Sequence, residues 1–194
     1  MQRNSLKIIS VVFTLGIVLY GPSLFPSAQG APAKGQTAKA ALEQARQLAK
    51  KWQPDALLHS ISSMAVREDG TVEDTGRLED VWFYEFHSPK SPLAKQIYTI
   101  SPGSGKLEGI EKGGGGVYKP ITRDFVDSDV VANELKKNGI PLKGKFFMTL
   151  ADTCEGVPKK CGLIWHGVIS EGGSKGTFFY VDAVTGKLFS KLTY

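Results

Sequence analysis

The chain has 194 residues, room for one ordinary domain or two small ones. Its 41% hydrophobic and 22% charged residues make a globular composition, and 22 glycines with 10 prolines favour short strands and turns over a helical bundle. A formal net charge of +5 comes from scattered lysines rather than a basic stripe, which argues against nucleic-acid binding; two cysteines exclude a four-cysteine metal site, and three isolated histidines exclude a histidine-rich one.

Residues 1–30 read as a secretory signal peptide. Arg3 and Lys7 precede an apolar run from Ile8 to Tyr20, Gly21-Pro22 breaks it, and small residues lead to a cleavage point after Gly30, with Ala33 as a second candidate. As a helix the run reaches about 20 Å, short of the roughly 30 Å hydrocarbon core, so a cleaved leader is expected rather than a retained anchor. Its removal takes away two basic groups and no acid, leaving a mildly basic mature chain. The expected destination is the bacterial periplasm or the medium, with membrane contact only through the leader. Cys154 and Cys161 fit that destination. They bracket the turn-rich loop CEGVPKKC and are expected to form a structural disulfide; the C-x6-C spacing is not that of a C-x-x-C redox pair.

Residues 31–36 are expected to be a flexible start. From Thr37, Ala38, Ala41, Leu42, Ala45, Leu48, Ala49 and Trp52 recur at helical spacing, and Pro54 stops the run. Strand-like segments follow at 56–67, 81–88, 96–101 and 106–111. Gly113–Gly116 interrupts any regular element, and 112–124 is read as a linker. A second short helix, SDVVANELKKNG, is capped by Asp127 or Ser128 and stopped at Asn138-Gly139. Strands are then expected at 144–152, 162–170, 177–183 and 187–194. Placing Gly186 on Gly105 aligns Lys187-Leu188 with Lys106-Leu107, Thr185 with Ser104, Val181 with Ile100 and Phe179 with Tyr98. The fold expected is therefore α+β, in two similar halves (37–111 and 125–194), each one helix packed on an antiparallel sheet of about four strands.

The segment Tyr180-Val181-Asp182-Ala183-Val184-Thr185-Gly186-Lys187-Leu188 resembles the end of a PepSY domain, a strand followed by a V-D-A-x-T-G turn and a short strand. The second half follows the family's order of elements. The first half departs from it, with Ser101 and Pro102 where Asp182 and Ala183 stand, but keeps Gly105-Lys106-Leu107. The resemblance implies a cystatin-like fold in exported or envelope proteins and a role in restraining secreted peptidases by binding. Asp182, Thr185 and Gly186 are read as fold residues: the carboxylate accepts backbone N–H bonds in its own turn and the glycine takes a positive φ.

No catalytic constellation emerges. His59, His87 and His166 lie far apart in sequence, and no H-E-x-x-H, G-x-S-x-G or phosphate-cradling glycine loop is present. The acidic pairs Glu68-Asp69, Glu73-Asp74 and Glu79-Asp80 lack a calcium-loop spacing and read as a solvated loop. No enzyme, cofactor or metal is expected. The expected function is a non-catalytic protein- or peptide-binding module, restraining a secreted peptidase; the alternative is an accessory subunit of a cell-envelope assembly. The runs Trp82-Phe83-Tyr84 and Phe178-Phe179-Tyr180 must place aromatics on both faces of a sheet. The partner surface is expected at Trp82, Tyr84, Trp165, His166 and Phe179.

Overall fold

The computed structural model describes residues 35–73, 75, 77–101, 106–113, 118–172 and 174–194. The expected leader, the start of the mature chain at 31–34, the turn at 102–105 and most of the four-glycine run lie outside them. The first helix, α1 (Leu42–Trp52), buries Leu42, Ala45 and Ala49 on one face. It begins five residues after the expected Thr37. The preceding turn gives its N–H groups away instead: Ala38 N–H to Ser128 Oγ at 3.0 Å and Lys39 N–H to Asp127 Oδ1 at 3.0 Å. The same Asp127 carboxylate accepts from Ser128 N–H at 2.8 Å and caps α2 (Ser128–Lys137). One acidic side chain thus satisfies orphan donors of two chain segments. The second helix stops where Gly139 takes φ +69° and Ile140 N–H returns to the Leu135 carbonyl.

Eight strands follow in chain order: β1 (Leu57–Val66), β2 (Phe83–His87), β3 (Leu93–Ser101), β4 (Lys106–Gly113), β5 (Phe146–Glu155), β6 (Lys160–Gly172), β7 (Lys175–Asp182) and β8 (Lys187–Thr193). They form one antiparallel sheet in the order β4-β3-β2-β1-β5-β6-β7-β8. This corrects the expectation of two halves, each one helix on an antiparallel sheet of about four strands. The order of one helix and four strands does recur, but β1 and β5 pair with each other through Ile61↔Leu150 and Ser62↔Thr149. Two four-stranded sheets would have left two further rows of N–H and C=O groups open; the seam between β1 and β5 removes both.

Both helices contribute to a single buried cluster on one face of this sheet, with Leu58, Ile61, Tyr84, Leu150, Trp165 and Phe179 on the strand side. Trp82 and Trp165 meet edge-on with ring centres 6.2 Å apart. Each indole finds a carbonyl ahead of a helix: Trp82 Nε1–H donates to Gln36 O and Trp165 Nε1–H to Val126 O, both at 2.9 Å. Tyr84 Oη–H donates to Ala38 O at 2.9 Å. Trp82, Tyr84, Trp165 and Phe179 are therefore core residues, at most 1% exposed, and not a partner surface. In each aromatic triplet the neighbours of the buried rings face the other way. Phe83, Phe178 and Tyr180 stand with His166 on the sheet face that carries no helix.

The β5–β6 hairpin is longer than the sheet and doubles back over that open face. Cys154 and Cys161 pair across it and form the disulfide. Beyond them Val157 N–H donates to Ser190 Oγ, and Ser190 Oγ–H donates to the Val157 carbonyl, so the hairpin tip rests on β8. Gly156 permits this contact: a Cβ there would stand 2.9 Å from Phe189 Cε2. The disulfide suits an oxidising compartment. No described helix is long and apolar enough to cross a membrane.

Candidate functional site

The open face carries two groups of functional side chains. The first lies on β1 and β2. Antiparallel pairing brings His59 and His87 together, with ring centres 4.5 Å apart. His87 Nε2 is 2.9 Å from Glu85 Oε1, two residues back on the same strand face. His59 Nδ1 lies 2.7 Å from the Tyr118 carbonyl. A carbonyl only accepts, so Nδ1 carries the hydrogen and Nε2 is the atom that takes up a second proton. Burial lowers the His59 pKa, as does the neighbouring His87; the Tyr118 bond and Glu85 act against them without reversing the sign. The cluster supplies a base and an orienting acid, a convergence invisible at 28 residues' separation. It does not by itself supply a nucleophile. Ser88 Oγ–H is directed at Asp55, at 2.6 Å, and both cysteines are in the disulfide.

The second group lies beside Glu155, where the hairpin leaves the sheet. A cavity of about 320 Å³ is lined by Phe147, Glu155, His166, Gly167, Val168, Phe178 and Tyr180. Its floor is a direct cross-strand series, Phe147↔Val168 on β5–β6 and Val168↔Phe178 on β6–β7. That series continues to Leu192 on β8, and Phe178 also packs on Tyr194 at 5.3 Å. Phe178, Leu192 and Tyr194 are exposed, so an apolar row runs from the cavity to the last strand. His166 stacks on Tyr180, nearly parallel, with centres 6.4 Å apart. Burial lowers the His166 pKa against the pull of Glu155. His166 Nε2 and Thr149 Oγ1, on directly paired residues, are buried without a hydrogen-bond partner.

The expected turn residues have a structural role. Asp182 Oδ1 accepts from Val184 N–H at 3.0 Å and Thr185 N–H at 2.9 Å, and Gly186 takes φ +70°. Burial would raise the Asp182 carboxyl, but the Lys160 ammonium and Thr185 outweigh it and hold the pKa at about 2. The acidic loop is occupied by contacts of its own and by one to Lys145. Asp69 accepts from Thr71, Glu73 pairs with Arg67, Glu79 with Arg77, and buried Asp80 holds Thr75 and Lys145. Asp74 lies outside the described residues. Among the described residues no three His, Cys, Asp or Glu side chains are arranged to hold a metal ion.

The chain matches no family model, no curated protein and no solved structure. The likeness of residues 180–188 to a PepSY ending rests on those residues alone.

Proposed function

We propose that the chain is an exported, non-catalytic binding module that takes an extended segment of a partner protein along β8. The observation that carries this is the outer side of β8, which no described strand covers, beside the exposed apolar row. Tyr194 and Gly176 exchange both backbone hydrogen bonds. In an antiparallel ladder bonded and non-bonded pairs alternate. The N–H and C=O groups of Thr193 and Lys191, opposite Thr177 and Phe179, therefore point away from β7. Nearer the turn the edge is guarded, because Leu188 N–H donates to Glu134 Oε1 of α2 at 3.3 Å. An added strand would pair with Lys191 and Thr193 and lay alternate side chains over Leu192 and Phe178. A secreted metallopeptidase is the partner that the PepSY-like ending suggests, and binding would restrain it.

The test is selection of peptides on residues 31–194, followed by amide exchange. Bound peptides should be β-prone and should protect the Lys191 and Thr193 amides. Lys191→Pro removes an outward N–H that β7 does not use; it should abolish binding and leave the fold intact. Peptides that bind Lys191→Pro equally well would overturn the reading.

A further inference from the structure

We propose that the cavity beside Glu155, at the base of the β5–β6 hairpin, is a recognition pocket for an arginine side chain carried by the partner segment. The proposal rests on strand addition only for the source of the arginine; the pocket chemistry stands separately. Phe147, Phe178 and Tyr180 contribute three aromatic rings to the lining, and Glu155 adds a carboxylate. Aromatic faces attract a cation through their quadrupole, and a guanidinium is the cation that also stacks flat and grips a carboxylate with two N–H groups.

Among the described residues Glu155 forms no ion pair. Its cross-strand partner is Lys160. That ammonium is committed elsewhere, 2.6 Å from Asp182 Oδ2 and 5.1 Å above the Phe189 ring. His166, the basic group in the lining, is held towards its neutral form by burial. A half-buried carboxylate beside apolar rings is placed to take an incoming cation. The volume is adequate: about 320 Å³, where an apolar cavity of about 150 Å³ already admits benzene. The larger clefts differ in kind. The one at Lys39, Arg46 and Asp124 is polar, and its Lys39 is already paired with Asp124.

The experiment is an NMR titration of residues 31–194 with N-acetyl-arginine amide, with N-acetyl-norleucine amide as the uncharged counterpart. The arginine probe should give saturable shifts of the His166, Phe178 and Tyr180 ring signals, and the norleucine probe should bind at least about tenfold more weakly. Glu155→Gln should reduce arginine affinity by about the same factor, whereas Glu171→Gln, an acid outside the lining, should not. Equal binding of the two probes, or arginine affinity unchanged in Glu155→Gln, would overturn the pocket. Lys191→Pro separates the two proposals: it should leave arginine-probe binding untouched even where peptide addition fails.

Discussion

Burial sets the charge of two histidines on the open face. His59 and His166 both have folded-state pKa values below 6.5, mainly because a charged imidazole is poorly solvated there. A base with a lowered pKa binds fewer protons folded than unfolded, so stability falls as pH drops below 6.5 towards the folded values. Asp182 acts in a second, lower window. Its carboxyl is near 2 when folded against 3.8 ordinarily, so its contribution is present above 3.8 and is lost as pH falls to 2. Urea unfolding followed from pH 8 to pH 2 should therefore show two declines in midpoint. His166→Gln should shrink the first and Asp182→Asn the second. A midpoint that is flat from pH 7 to pH 5 would show that the imidazoles titrate alike in both states.

Two glycines of the second half show how an element imposes different demands on the same residue type. Gly167, in β6, lies against β5: a Cβ would stand 2.1 Å from the Phe147 carbonyl oxygen and 2.8 Å from Phe179 Cζ. Backbone cannot move aside without opening the β5–β6 ladder. Gly186 has no such neighbour, its nearest contact being Val130 Cγ1 at 3.4 Å; its need is the positive φ. Gly167→Ala should cost about 3 kcal/mol or more, through overpacking. Gly186→Ala should cost only about 1 kcal/mol, for the left-handed backbone. Urea denaturation of the two variants checks the order, and a smaller loss for Gly167→Ala would contradict the packing account. The aromatic triplets were legible to the same limited extent. Alternation placed neighbours on opposite faces, but with three apolar rings in a row nothing in the pattern sets the phase. Phe83, Phe178 and Tyr180 proved to be the outward residues, not Trp82, Tyr84 and Phe179.

At the scale of the whole molecule the β1–β5 seam decides whether the halves can stand alone. The buried cluster runs through both, joining Ile61 and Tyr84 to Leu150 and Trp165, and the first turn of one half is capped by Asp127 and Ser128 of the other. Separated halves would expose this core and an open strand edge at once. Residues 35–113 and 118–194 expressed separately should therefore show no cooperative unfolding transition. A sharp transition in either would mean that the seam is a contact between independent domains.

Local chemistry was readable along the chain because it acts over a few residues. The helical spacing of Leu42, Ala45 and Ala49, the cap at Asp127, the Asp182–Gly186 turn and the cysteine pair each involve neighbours within about two turns of helix or one hairpin. Their geometry depends little on the rest of the molecule. The joining of eight strands into one sheet, the meeting of His59 with His87 and Glu85, and the cavity that Glu155 shares with Phe147 and Phe178 were not readable. Each depends on which strand edges meet and which face of a strand a helix covers, and those follow from burying one shared core rather than from any short stretch of sequence.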